Sequence, residues 1–320
     1  MKRFLKVFGL LSIILFFASC KSDDDTKIAP PRDYGVQYAE DKADIEEFLK
    51  NHYFVLDAVT LDATFHEIPD KGTQISVWDQ TEYPLQNIKV KRNDVEYTVY
   101  YLNFREGVGE QPTMADNITV NYRGTLLDGT QFDYRPIAGT EFSLNSVVAV
   151  GWQSIIPLFK SGIYSETEPG EPASYTDYGA GAMFLPSGLA YFNSTPSTLV
   201  PMYSPMVFTF QLMDVTYTDI DADGILNKDE TVPGTKIQDY DSDGDGTPNY
   251  LDVDDDNDGR LTKDELRKAG TTNEYYTYAE MFDEQGNMKP DNSVPGKLTY
   301  TCRTGATVPS YLDAACKGGN

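Results

Sequence analysis

The sequence predicts an α+β protein: a short helical stretch, then a β-rich domain, then an irregular Asp-rich segment. Three observations carry this. Ala43, Ile45, Phe48, Leu49 and Tyr53 recur at roughly helical spacing among Asp, Glu and Lys, which gives an amphipathic helix over 39–53. From Glu96 the pattern turns to β, with Tyr97–Leu102, Asn117–Tyr122 and the alternating run Met206–Val215, and with Leu127-Asp128-Gly129-Thr130 as a hairpin turn. Between Asp219 and Glu265 the composition changes abruptly, to 16 acidic and 4 basic residues.

A chain of 320 residues with net charge −24 exceeds one ordinary core and is strongly anionic. That charge argues against nucleic acid as a partner, since phosphate binding needs Lys and Arg to release counterions. Cations are the expected ligands. At the N-terminus Lys2, Arg3 and Lys6 precede the apolar run Val7–Phe17, too short to span a bilayer, so 1–19 reads as a signal peptide. The end of that run, Phe17-Ala18-Ser19-Cys20, resembles a bacterial lipobox, which implies a lipid on Cys20. The acidic stretch Lys21–Asp25 is similar to the tether of surface lipoproteins, and the alternative is a solvated linker. Outer-membrane anchoring is therefore expected, on the periplasmic or the cell-surface face, with the surface favoured. With Cys20 acylated, Cys302 and Cys316 remain, and an exported compartment permits a disulfide between them. His52 and His66, isolated and without a third ligand, read as structural.

The string Val120-Asn121-Tyr122-Arg123-Gly124-Thr125-Leu126-Leu127-Asp128-Gly129-Thr130-Gln131-Phe132-Asp133 resembles the FKBP family of peptidyl-prolyl cis-trans isomerases. Phe142, Val148–Trp152, Pro186–Tyr191, Val200-Pro201 and Phe208 follow in the family's order over about 94–217. The resemblance implies a twisted antiparallel sheet wrapped around a short helix near 152–160, with a prolyl pocket between them. It implies catalysis by Tyr122, Phe132, Asp133, Trp152 and Tyr191, with no cofactor, and substrate contacts from Phe142, Val148, Ala149, Val200 and Phe208. In these roles Trp152 is the floor, Tyr122, Phe132, Phe142 and Phe208 are walls, and Val148 and Val200 line the rim. The Ala149 N–H and the Tyr191 hydroxyl would donate to substrate carbonyls, and Asp133 would orient polar groups. Taken singly, each aromatic is as well explained as core. The chain departs from the family at Ala149, at Phe192 where Gly is usual, and in about 15 extra residues between Gly162 and Pro186, which read as a flexible loop.

The Asp-rich segment contains three copies of a twelve-position calcium loop, with carboxylates at positions 1, 3 and 5, Gly at 6, a backbone carbonyl at 7 and an acid at 12. The ligand sets are Asp219, Asp221, Asp223, Ile225 and Glu230; Asp241, Asp243, Asp245, Thr247 and Asp252; and Asp254, Asp256, Asp258, Arg260 and Glu265. Val232-Pro233-Gly234 blocks an exit helix, so the run resembles thrombospondin type 3 repeats more than paired EF-hands. A disordered acidic linker is the alternative, but it has no need of Gly at each sixth position. In the tail, Val308–Asp313 echoes Thr247–Asp252.

The expected organisation is a leader over 1–19, a tether over 20–38, a helix and β-rich extension over 39–93, an isomerase domain over 94–217, a calcium segment over 218–266 and a disulfide-bearing tail over 267–320. The function expected is prolyl isomerisation in exported or surface polypeptides, with calcium as a structural ion. The alternatives are a non-catalytic module that grips Pro-containing segments, or a calcium-stiffened surface spacer.

Overall fold

The computed structural model describes residues 30–147, 149–165, 174–268, 270–289, 300–301 and 307–316. The expected leader, Cys20, Val148 and Cys302 lie outside them. Cys316 is disulfide-bonded. No helix among the described residues is long and apolar enough to cross a membrane.

Helix α1 spans Tyr34–Asn51 and so begins inside the stretch expected to be tether. Its start is set by Asp33, whose carboxylate accepts the Val36 N–H at 3.0 Å. Next comes a hairpin of β1 (His52–Leu56) and β2 (Ala63–Glu67). The chain then builds β3 (Gln86–Arg92), β4 (Val95–Arg105), β5 (Asn117–Leu126), β6 (Gln131–Ser143), α2 (Gly151–Ile155), β7 (Ile163–Ser165), β8 (Ser174–Thr176), β9 (Gly179–Leu185) and β10 (Met206–Thr216). Six of these strands form one antiparallel sheet in the order β3-β4-β9-β10-β5-β6. The sheet thus starts at Gln86, not at 94. Helix α2 stops after Ile155, and Pro157 sits in a 3-10 turn over Ile156–Leu158, shortening the helix expected over 152–160.

Both faces of the sheet are covered. On one, Val99, Tyr122, Met183, Leu185, Phe208 and Phe210 pack against Trp152, Ile155 and Phe159. On the other, Leu102, Ala180, Ala182, Phe184 and Val207 meet Ile45, Phe48 and Leu49 of α1. This explains why β10, read as an alternating strand, is buried on both sides over Met206–Met213. It also corrects the loop assignment of Tyr178-Gly179-Ala180-Gly181, since Gly179–Leu185 is a fully buried central strand. The remainder of the insertion pairs Ile163–Ser165 with Ser174–Thr176.

The Asp-rich segment and the tail are not separate units. Ile225 and Leu266 of the former share an apolar cluster with Met281, Tyr300 and Tyr311 of the latter. A second cluster docks Ile237 and Tyr250 on Ala115 of the sheet domain. The echoed motifs fold alike: Asn249–Leu251 and Ser310–Leu312 are both 3-10 turns after a proline, each with its Tyr buried.

Helix α1 is clamped to the loop after β9 through Asp41, which is 1% exposed. Its carboxylate accepts the Ser187 N–H at 2.8 Å, the Ser187 hydroxyl at 2.6 Å and the Gln37 amide at 2.7 Å. Burial raises its pKa in spite of these donors. Asp41→Ala leaves buried donors unpaired and is expected to lower stability by about 2 kcal/mol or more, read as a drop in the urea midpoint at constant slope. An unchanged midpoint would show that the clamp carries no stability.

Candidate active site and Asp loops

The prolyl pocket expected from sequence maps to an aromatic cluster around Trp152, which is 3% exposed where α2 lies on the sheet. Gly151 permits the approach, because a Cβ there would sit 2.4 Å from a Leu185 methyl. The Trp152 ring meets Tyr122 edge-on at 5.6 Å and Phe208 at 5.2 Å, with Phe142 at 6.0 Å. Phe132 stands perpendicular to Phe208 at 5.6 Å. Sequence reasoning gave no role to Gly124, yet a Cβ there would lie 2.6 Å from Phe132 and 2.9 Å from Phe208, so only glycine lets β5 pass beneath these walls.

One carboxylate organises the polar edge. Asp133 accepts a short hydrogen bond from the Tyr122 hydroxyl and the Tyr134 N–H at 2.8 Å, with the Arg135 guanidinium 3.6 Å away at the rim. Burial and then the Asp133 hydrogen bond push the Tyr122 hydroxyl up. Burial and then the Asp133 charge do the same for Tyr191, so both phenols stay protonated and able to donate. Val200 and Ala149 are buried in the same apolar cluster, and Tyr191 packs against it. Nine of the ten pocket residues expected from sequence are therefore described, and all nine belong to this one cluster or its polar edge.

Phe192 takes a left-handed backbone, φ 48°, which is strained for a bulky residue where glycine is usual. Helix α1 compensates: Tyr34 stacks on Phe192 at 4.0 Å, and Tyr203 meets its edge at 5.0 Å. A cavity of about 920 Å³ opens elsewhere, between β2 and the β5–β6 turn, lined by His52, Phe65, His66, Arg123, Leu127 and Thr209. It contains none of the expected pocket aromatics. His52 is stacked on Phe48 with Nδ1 3.0 Å from the Phe48 carbonyl, and His66 Nε2 is 2.9 Å from the Thr64 hydroxyl, as structural histidines would be.

The three Asp loops share one geometry. The glycine at position 6 has φ of 108°, 101° and 92° at Gly224, Gly246 and Gly259, a conformation that side chains resist. Its N–H donates to the first Asp of each loop, at 3.1, 2.9 and 3.1 Å. The N–H at position 7 donates to the fifth-position Asp, from Ile225, Thr247 and Arg260 at 2.7, 2.7 and 2.8 Å. These bonds gather one oxygen each of Asp219, Asp221 and Asp223, of Asp241, Asp243 and Asp245, and of Asp254, Asp256 and Asp258 within 4.8 Å. Both oxygens of Glu230 and of Glu265 are buried without a hydrogen-bond partner. Burial, then neighbouring carboxylates, pushes Glu230 up to about 10 and Glu265 up to about 8. Burial and crowding of this kind oppose ionisation, and the unpartnered oxygens of Glu230 and Glu265 beside the Asp triads fit a hard dication bound by oxygen, which would relieve both. The acids at position 12 stand apart from these triads: Glu230 groups with Asp223 and Asp255, Glu265 and Asp252 lie outside the triads of their own loops, and Asp252 accepts the Asp254 N–H at 3.0 Å.

The chain is 33% identical over 107 residues to the peptidyl-prolyl cis-trans isomerase Mip of Coxiella burnetii, a match covering 33% of this chain and 44% of that protein. It is 29% identical over 111 residues to the outer membrane protein MIP of Legionella longbeachae, covering 34% and 40%. These matches show homology to FKBP-type peptidyl-prolyl isomerases at modest identity. The chain spans less than half the length of these two relatives. Among solved structures, FkpA from Escherichia coli aligns at 22% identity with a TM-score of 0.33, covering 57% of this chain and 60% of that one. Residues 214–291 match a family described as BamM C-terminal, a span that crosses the boundary expected at 266/267, as the shared apolar cluster does.

Proposed function

We propose that this chain is a peptidyl-prolyl cis-trans isomerase acting on proline-containing exported polypeptides. The observation that carries the reading is the convergence of Tyr122, Phe132, Trp152, Tyr191 and Phe208 on one apolar cluster edged by Asp133. Rotation about X-Pro crosses a barrier of about 18–20 kcal/mol at which amide resonance is lost. A dry aromatic pocket favours the twisted amide, whose carbonyl is less polarised, over the planar one that water solvates better. Trp152 supplies the floor for the pyrrolidine ring. Tyr122 is fixed by Asp133, and the Tyr191 hydroxyl is free to donate to a substrate carbonyl. The chemistry needs no nucleophile and no cofactor.

The Asp loops are read as structural calcium sites. Asp219, Asp221, Asp223, Glu230 and the Ile225 carbonyl would hold one ion, and Asp254, Asp256, Asp258, Glu265 and the Arg260 carbonyl another. The second loop offers Asp241, Asp243, Asp245 and the Thr247 carbonyl. Bound cation would stiffen the segment by favouring its ordered form. The leader and Cys20 support lipid anchoring at the outer membrane.

Three measurements test these readings. The chain is expected to accelerate isomerisation of a short X-Pro peptide, and Phe132→Ala with Asp133→Ala to lose about tenfold or more, equivalent to about 1.4 kcal/mol of transition-state stabilisation per factor of ten. A folded wild type without acceleration would leave the pocket as a grip for Pro segments only. Calcium at about 100 times its Kd is expected to add about 2.7 kcal/mol of stability, seen as a higher Tm that a chelator reverses; equal Tm values with and without calcium would refute the ion sites. Cys20→Ser should move the protein from the membrane to the soluble fraction, and retention at the membrane would refute the lipid anchor.

A further inference from the structure

We propose that Asp255, from the third Asp loop, is a ligand of the cation held by the first loop, so that the two loops close around one site. The inference rests on the calcium reading above and adds a residue that the loop template does not assign, since Asp255 occupies position 2, which carries no ligand.

The first loop lacks a donor of its own. Position 9, which often reaches the ion through water, is Asn227, and its side chain is committed elsewhere: Oδ1 accepts the Ile220 N–H at 3.1 Å and the amide donates to the Thr218 hydroxyl at 2.8 Å. The same device recurs in the other loops. Asn249 accepts the Ser242 N–H at 2.9 Å, and Thr262 accepts the Asp255 N–H at 3.1 Å. Position 9 therefore ties down the backbone of position 2 in all three.

In the third loop this tie fixes where Asp255 points. Its N–H is held by Thr262 and its carbonyl accepts the Ser242 hydroxyl of the second loop. Its carboxylate lies beside the Thr262 hydroxyl of its own loop and joins Asp223 and Glu230, with one oxygen of each of the three acids within 4.8 Å. Asp255 is 2% exposed, Asp223 2% and Glu230 3%. Both carboxylate oxygens of Asp255 and both of Glu230 are buried without a hydrogen-bond partner. Two such side chains, from loops distant in sequence, have no reason to converge in a closed space unless a cation lies between them. Asp223 belongs both to this group and to the Asp219–Asp221–Asp223 group, and around an ion shared through it Asp219, Asp221, Asp223, the Ile225 carbonyl, two Glu230 oxygens and Asp255 would supply about seven donors, inside the six to eight that calcium takes and more than octahedral magnesium accepts.

Calorimetric calcium titration of the full chain tests this, with wild type, Asp255→Asn, Glu230→Gln, Asp219→Asn, Asp258→Asn and the double variants that pair Asp255→Asn with Asp219→Asn or with Asp258→Asn. Asp255→Asn is expected to weaken one ion by about tenfold or more, and Glu230→Gln to weaken the same ion. Adding Asp255→Asn to Asp219→Asn should cost little more, because both act on one ion, whereas with Asp258→Asn the losses should add. The reverse pattern, or calcium affinities unchanged by Asp255→Asn, would overturn the assignment while leaving the calcium reading intact. A wild type that takes up no calcium would overturn both. Near-UV circular dichroism of each metal-free variant establishes that it is folded, and Asp255→Ser replaces Asp255→Asn if the amide fails that check.

Discussion

The structure depends on a central pair of strands, β9 and β10, that is buried on both faces. One face of the pair supplies Phe208 and Phe210 to the pocket side, and the other presents Ala180, Ala182 and Val207 to α1. Small residues on β9 make this possible. A Cβ at Gly181 would stand 2.8 Å from Phe159, so the strand must be nearly bare there for the chain after α2 to pack down. Because interiors are filled to crystal-like density, the pocket aromatics inherit their positions from this arrangement. Trp152 can be a rigid floor only because Ile155, Ile156 and Phe159 beside it are fully buried.

The N-terminal helix extends that constraint to the loop carrying Tyr191. Asp41 grips Ser187 from one side, and Tyr34 stacks on Phe192 from the other. The second contact accounts for a residue that looks wrong in sequence. A phenylalanine in a left-handed conformation is unfavourable alone, but here it provides the ring against which α1 docks, and the Tyr203 N–H donates to the Phe192 carbonyl across the same turn. The extension before the sheet is thus part of the pocket's support.

What could be read from sequence follows from how local each signal is. Tyr122, Phe132 and Asp133 were legible because a strand, a tight turn and a glycine fix their order within one short string. The shared turn geometry of the Asp loops was legible because it too is local, their first nine positions being closed by bonds within each loop. The role of α1 was not, because Ile45, Phe48 and Leu49 acquire meaning only when β9 is placed beneath them. Strand β9 itself was hidden because glycine and alanine, which suit a strand pressed from both sides, are also what a loop contains. Asp255 escaped because its partners, Asp223 and Glu230, are brought to it by the chain's return path and not by spacing.

Strand β10 joins the two sites physically. Phe208 lies in the pocket, and the chain leaves the same strand at Thr216 to reach Asp219, the first position of the first loop. The junction is rigid. The Thr218 N–H donates to Asp116 at 3.0 Å and its hydroxyl to the Ala115 carbonyl at 3.0 Å, while Tyr217 donates to Glu110 at 2.6 Å. Asp116 is fully buried and also accepts the Thr113 N–H, which ties the joint into the turn before β5. Coupling between distant sites needs an element with two arrangements that both sites bias. A continuous strand in the middle of a covered sheet, ending in a fully bonded joint, offers one arrangement. An ion proposed for the first loop would therefore hold the Asp-rich segment and the Tyr311 tail against the sheet domain without altering the walls around Trp152, the effect expected of a stiffening site rather than of one that controls turnover.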